Sequence, residues 1–167
     1  MAFSVYTYSP SDVSFIIGGY ALTGWGSIRV SRNSQVYTQV RGIRGKNTRY
    51  RNVDSSATIT VSILQTEDAN DILSNIVDLD STFGTGRIAL TIKDGSGTAI
   101  LSSSEAFVAG YPEVVYSGGF EYRNWTIICN NTSQYTVGGN SSAQESIFKK
   151  VEGLAKGAVD KISGFLG

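Results

Sequence analysis

Apolar and polar residues alternate over short stretches of this chain, and this period of two constrains the fold more than any other feature. The clearest stretch runs from Ala57 to Leu64, where Ile59, Val61 and Ile63 occupy every second position. Such alternation places the apolar side chains on one face of a β-strand. With 19 Gly and only 2 Pro in the chain, we expect short strands joined by turns. The pattern predicts further strands over residues 12–17, 27–32, 35–40, 87–93, 98–102, 104–116 and 120–130. The fold class predicted is mainly β, an antiparallel β-barrel or sandwich.

Two segments change to a helical period. A helix is expected to begin after Thr66, which we interpret as its N-cap, because acidic residues follow in the first turn. A second segment from Ala143 to Leu166 repeats apolar residues every three or four positions, at Ile147, Val151, Leu154, Ala158, Ile162 and Phe165. The sequence therefore predicts one flanking α-helix and a C-terminal amphipathic helix. It divides the chain into a β domain at 1–140 and a helix at 141–167.

The C-terminal helix contains Gly153, Gly157 and Gly164. Each glycine costs about 1 kcal/mol relative to Ala inside a helix. We therefore expect this helix to need a surface to dock on. Three docking surfaces are possible for it: its own or a neighbouring subunit, a different protein, or a membrane interface.

The composition argues against most enzyme classes. The chain has no His, which excludes His-based triads and His metal sites. Its one Cys, Cys129, lies on a predicted strand and is interpreted as a small core residue. The glycines of segment 42–48 are too closely spaced for a phosphate-binding loop. We expect no catalytic residue, no cofactor and no metal. No stretch approaches the roughly 18 apolar residues of a membrane span. The start of the chain has no signal-peptide pattern, so synthesis in a reducing cytoplasm is expected.

Charge is strongly segregated along the chain, although 14 basic and 14 acidic residues cancel overall. No acid lies between Asp12 and Asp54, a span that holds Arg29, Arg32, Arg41, Arg44, Lys46, Arg49 and Arg51. No base then lies between Asp54 and Arg87, a span that holds Glu67, Asp68, Asp71, Asp78 and Asp80. Three interpretations stay open: contacts between stacked copies, solvated surfaces without a partner, and a nucleic-acid site that uses Tyr50 for stacking.

The order of features resembles a family of phage structural proteins. The features that match, in chain order, are the segments 6–15 and 18–20, a strand ending in arginine, a long basic connection to Asp54, the strand at Ala57 and the helix start at 67–70. In this order the chain resembles the tail tube protein of a contractile, myovirus-type bacteriophage tail over most of residues 1–140.

The resemblance implies a fold related to the type VI secretion tube protein. It also implies hexameric rings that stack into a helical tube, with DNA passing through the lumen without specific binding during genome ejection. The partners implied are the tail sheath, the baseplate hub and the tail terminator. The location implied is the virion tail, assembled in the host cytoplasm.

In that family a long loop between strands contacts the adjacent ring, and the matching segment here is Arg41 to Val53. The resemblance therefore implies an inter-ring interface formed by Arg41, Arg44, Lys46, Arg49 and Arg51, with Tyr50 as an apolar anchor. The acidic interface candidates are Asp54, Glu67, Asp68 and Asp71.

Two other functions compete with the tube subunit. A β-sandwich binding or baseplate module of a phage tail should carry exposed loop aromatics, which Tyr111, Tyr116 and Trp25 could supply. An enzyme is disfavoured by the missing His and by the absence of a nucleophile motif.

Overall fold

A computed structural model describes residues 7–139 and the helical backbone of 141–166, with side chains of the last helix from position 151 to 165. The strands are β1 (Val13–Ile17), β2 (Tyr20–Ala21), β3 (Trp25–Arg32), β4 (Tyr37–Arg41), β5 (Asn47–Arg51), β6 (Ala57–Leu64), β7 (Ile88–Asp94), β8 (Ile100–Val108), β9 (Tyr122–Cys129) and β10 (Thr132–Thr136). The helices are α1 (Ala69–Phe83) and α2 (Ser141–Leu166).

The main sheet is antiparallel and has the order β2-β1-β7-β8-β9-β6-β3, with β10 also paired to β8. β9 pairs with β6 along its whole length but with β8 only through Ile127, Ile128 and Cys129. β10 then continues the pairing along β8. The sheet bends around the path from β9 to β10, which gives a sandwich-like body. No pairing in the described residues joins β3 back to β2, so the sheet is open rather than a closed barrel.

The core lies on the face of the sheet that the sequence alternation marks. On β6 the side chains of Ala57, Ile59, Val61 and Ile63 are fully buried, which confirms the strand predicted there. Across the ladder β9 buries Trp125, Ile127 and Cys129, and α1 adds Ala69 and Leu73. The interpretation of Cys129 as a core residue is confirmed, and its burial raises the pKa of the thiol.

The flanking helix exists but begins later than predicted. Its N-cap is Asp68 rather than Thr66, because the first helical hydrogen bond runs from Ile72 N to Asp68 O at 3.2 Å. A turn comes before it, in which Glu67 N donates to Leu64 O at 3.1 Å. This turn redirects the chain from β6 before the helix can start.

The strand predicted over residues 104–116 ends at Val108. Residues 109–121 form an irregular segment in which Val114 and Val115 are exposed. Pro112 lies within it and has no backbone N–H for a ladder hydrogen bond, so the sheet does not continue there. The predicted strand at 98–102 instead joins residues 104–108 in β8. Residues 132–136, interpreted from the sequence as a polar stretch, form strand β10, which was not predicted.

Helix α2 follows the last strand after a short connection. Every side chain described in it, from position 151 to 165, is exposed. Val151, Leu154 and Phe165 are 59%, 74% and 95% exposed. This part of α2 is therefore not covered by the rest of the described chain.

Candidate functional site

The segment from Arg41 to Val53, predicted as a long loop between strands, instead forms the turn and the second strand of a β-hairpin. β4 and β5 pair over their full lengths as a separate two-stranded sheet. Gly45 closes the turn with φ of 84°, a value that strains residues carrying a side chain. Every residue from 39 to 51 is exposed. Because neither strand has a buried face, the apolar alternation that marks the other strands is weak here.

One face of this hairpin is basic. Residues directly opposite each other share a face, as do alternate residues along each strand. The register pairs Tyr37 with Arg51 and Gln39 with Arg49, so Arg41, Arg49 and Arg51 share one face. The guanidinium of Arg49 lies over the ring of Tyr37, 4.3 Å from its centroid. The arginines of the two strands thus form one continuous basic surface.

The other face of the hairpin carries no charge. Thr38 pairs with Tyr50, and Val40 pairs with Thr48. Val40 and Tyr50 are 53% and 50% exposed. Tyr50, which we expected to act among the arginines, therefore lies on the face opposite to Arg41, Arg49 and Arg51. This face was not predicted, although Thr38, Val40, Thr48 and Tyr50 alternate in the sequence with the residues of the basic face.

The remaining bases of the segment lie at the tip. Arg44 and Lys46 belong to the exposed turn between β4 and β5. Ile43, also in this turn, is fully exposed. The tip presents two cations and one apolar side chain to any partner that meets the hairpin end-on.

Asp54 lies at the base of the hairpin and already has partners in its own chain. The Ser34 hydroxyl donates to its carboxylate at 2.7 Å, and the backbone N–H of Ser56 donates at 2.9 Å. These hydrogen bonds, the one from Ser34 first, lower the pKa of Asp54 from 3.8 to about 2. Asp54 therefore fixes the connection from the hairpin to β6 and lies apart from the other three acidic candidates.

Those three acids lie together at the start of α1. Glu67 accepts a hydrogen bond from the Thr23 hydroxyl at 3.3 Å. Asp68 is the N-cap residue, and Asp71 lies in the first turn. The partial positive charge of a helix N-terminus stabilises carboxylates at these positions. Asp68 and Asp71 are exposed. We call Glu67, Asp68 and Asp71 the acidic cluster.

The hairpin and the acidic cluster lie at opposite ends of β6. β6 starts at Ala57, just after the hairpin, and ends at Leu64, just before Glu67. At about 3.4 Å per residue its eight residues span about 24 Å. Between residues 7 and 139 no Lys or Arg nitrogen lies within 4.0 Å of a carboxylate oxygen. The ion pair found in the described residues joins Lys156 to Glu152 in α2. The two charged surfaces are thus separated and not neutralised by ion pairs within this range.

The aromatic residues considered for a binding module do not form one cluster. Tyr111 and Tyr116 line a cavity of about 340 Å³ beside Trp125. Trp25 lines a different cavity, next to β3. The Tyr111 hydroxyl hydrogen-bonds to the Asp78 carboxylate, which raises the pKa of Tyr111. Tyr116 packs against the Arg123 guanidinium at 5.3 Å.

The described residues contain no group of three or more His, Cys, Asp or Glu side chains placed to hold a metal ion. Over the same ranges, neither helix combines the length and the apolar character needed to cross a membrane.

A comparison with known proteins identifies a relative of this chain. It is 32% identical over 151 residues to structural protein ORF10 of Pseudomonas phage KPP10, a match that covers 84% of this chain and 87% of that protein. The chain belongs to the family of this phage structural protein. No family model matches the sequence.

Two solved structures share the fold at low sequence identity. A chain of the anti-feeding prophage cap, a tube-terminating cap, superposes with a TM-score of 0.56 at 12% identity and covers 81% of this chain and 96% of that one. A chain of the sheath-tube complex of the PVC extracellular contractile injection system in its extended state gives 0.55 at 13% identity, covering 78% and 93%. The resemblance to phage tail proteins is therefore confirmed for the fold.

Proposed function

We propose that this chain is a structural subunit of a contractile phage tail tube, in which hexameric rings stack around a lumen that conducts DNA into the host. The observation that carries the proposal is the separation of the basic hairpin from the acidic cluster along β6. Copies stacked head to tail would place the hairpin of one subunit against the acidic cluster of the next. A contact between two different surfaces can repeat without limit along an axis.

Within this proposal the interface is narrower than the set of residues considered from the sequence. The tip bases Arg44 and Lys46 and the face bases Arg41, Arg49 and Arg51 meet Glu67, Asp68 and Asp71 of the adjacent ring. Tyr50 contacts a different surface from the arginines, because it lies on the other face of the hairpin. Asp54 stays within its own subunit, where Ser34 and Ser56 bind it.

The subunit would perform no chemistry in this role. Its function is to form a stiff wall, and the hydrogen-bonded sheet supplies the stiffness. Residues 1–140 form that wall, and 141–167 form a separate helical unit. The sheath, the baseplate hub and the tail terminator contact the assembled tube in the virion tail, after assembly in the host cytoplasm.

A tube-terminating cap is the second candidate, because a solved structure with this fold belongs to such a cap. A cap would bind one end of a tube and would not add further rings. A binding or baseplate module would likewise stop at a small closed oligomer. Electron microscopy of the purified protein over a concentration series separates these functions: a tube subunit gives hollow tubes, and a cap or module gives single rings or smaller particles.

Reversing the charge of the hairpin tests the interface. We expect Arg44→Glu with Arg49→Glu to leave the subunit folded, because both side chains are exposed. We expect stacking to be lost, because the reversed charges would face the acidic cluster. Tube length in negative-stain images is the measurement.

The matched control is Arg87→Glu with Lys93→Glu, two exposed bases outside the hairpin that give the same change in net charge. Tubes of normal length are expected from this control. Adding Asp68→Lys and Asp71→Lys to the hairpin variant should restore stacking. Normal tubes from the hairpin variant alone would refute the proposed interface.

A further inference from the structure

Helix α2 presents one apolar face that nothing in the described chain covers. Successive helical residues are about 100° apart, so its large apolar side chains fall within an arc of about 140°. They are Val151, Leu154, Val159, Ile162 and Phe165, each between 59% and 95% exposed. The charged residues Glu152, Lys156 and Asp160 lie outside this arc, as do the three glycines of the helix. Only a partner that covers this face can remove its apolar side chains from water.

The same chain carries an apolar groove that matches this face in character. It lies between β3 and β10, with β7 and β8 at its floor, and has a volume of about 510 Å³. Its apolar lining includes Trp25, Ile28, Val30, Ile92 and Val137, and Tyr8 and Pro10 line it from the segment before β1. Both of its sides are strands with one unpaired edge in the described residues. The groove is therefore open along its length.

The helix starts beside this groove, at a fixed point. Gly138 has φ of 71°, and a Cβ there would clash with the backbone nitrogen of Ala99. Gly139 is tied to Thr98 by two hydrogen bonds, with its carbonyl oxygen accepting at 2.9 Å and its N–H donating at 3.2 Å. The chain therefore leaves the body at one place and cannot slide along the groove.

The length of the helix decides which groove its apolar face reaches. At about 1.5 Å per residue, Val151 lies about 15 Å and Phe165 about 36 Å along the helix from Ser141. The β3 residues that line the groove, within 25–30, span about 17 Å, so a helix lying back across its own groove from Ser141 would carry most of 151–165 beyond it. The apolar face is thus positioned to reach a neighbouring molecule.

We propose that the apolar face of α2 docks in the β3–β10 groove of a second copy of this chain. The two surfaces differ, so the contact is heterologous and passes from each subunit to the next. Such a contact links subunits in addition to the charged stacking surfaces. The inference rests on the proposed function in one respect, since both require copies of the chain to associate.

Disulfide trapping between two different variants tests this contact. Ile162→Cys places a thiol on the apolar face, and Val137→Cys places one on the exposed wall of the groove. The two variants are mixed, one with a size tag, and oxidised. A tagged–untagged dimer on a non-reducing gel reports contact between copies. The native Cys129 is fully buried and does not compete.

The control is Ser163→Cys, which lies next to Ile162 in sequence but on the polar side of the helix. We expect at least tenfold more mixed dimer from Ile162→Cys than from Ser163→Cys. Equal yields would overturn the proposal, and so would a disulfide that forms only within one chain carrying both Ile162→Cys and Val137→Cys. Trapping that appears only after residues 1–6 are deleted would assign the groove to the N-terminal segment and also overturn it.

Sedimentation of the same samples separates this inference from the proposed function. Association without a mixed dimer refutes the helix docking and leaves the tube intact as a proposal. A mixed dimer without tubes in the microscope supports the docking and refutes the tube. A chain that stays monomeric at every concentration refutes both.

Discussion

At the scale of single residues, Asn70 connects three elements that surround the candidate interface. Its side-chain N–H₂ group donates to Leu64 O at 2.8 Å and to Glu67 O at 3.1 Å. Its side-chain oxygen accepts from the indole N–H of Trp125 at 2.9 Å. One side chain therefore fixes the end of β6, the turn that carries Glu67, and the core face of β9.

Replacing this side chain should destabilise the subunit. We expect Asn70→Ala to cost about 1–3 kcal/mol of unfolding free energy, because the buried indole N–H of Trp125 loses its partner. Urea unfolding followed by tryptophan fluorescence measures it. The control is Asn75→Ala, an exposed position on the same helix, expected within about 0.5 kcal/mol of wild type. Equal stability of the two variants would contradict the role assigned to Asn70.

At the scale of elements, the β4–β5 hairpin is an addition to the body rather than a part of its core. Its residues from 39 to 51 are exposed, and its two strands pair only with each other in the described sheet. The strands that flank it, β3 and β6, pair directly up to Arg32 and Ala57. The body can therefore be expected to fold without the hairpin.

Excising the hairpin tests that independence. Replacing residues 36–52 by a short Gly/Ser linker should change the unfolding free energy by no more than about 1 kcal/mol, or roughly 2–4 °C in the thermal midpoint for a chain of this size. The linker keeps Ser34 and Asp54, so their hydrogen bond is retained. Thermal unfolding by circular dichroism is the measurement. Loss of the cooperative transition would show that the hairpin contributes to the core.

At the scale of the whole molecule, basic and acidic residues lie at opposite ends of β6, although the net charge is zero. The basic hairpin begins at one end of β6 and the acidic cluster at the other, about 24 Å away. A neutral molecule of this kind has no overall attraction for its copies but has a preferred head-to-tail orientation. The apolar contacts proposed for α2 have no such dependence on charge.

Salt should therefore shorten the tubes proposed for this chain. The screening length falls from about 10 Å at 0.1 M to about 3 Å at 1 M ionic strength. We expect average tube length to fall as sodium chloride is raised over this range, while single rings persist, because apolar contacts between subunits are not screened. Length distributions from electron micrographs measure this. Tubes whose length is independent of salt would argue against charge pairing between rings.

The sequence by itself determined the elements whose burial follows a local period. The alternation of Ile59, Val61 and Ile63 predicted β6, because it states which face must leave water. The acidic first turn predicted α1, and the spacing of apolar residues predicted α2, although the described side chains of α2 are exposed. The family resemblance and the segregation of charge were also present in the sequence. Only the tertiary structure decided the exposed elements and the distances. It placed Tyr50 opposite the arginines, gave Asp54 its partners, and opened the groove beside β3. These features depend on the register between distant strands, which no local pattern encodes.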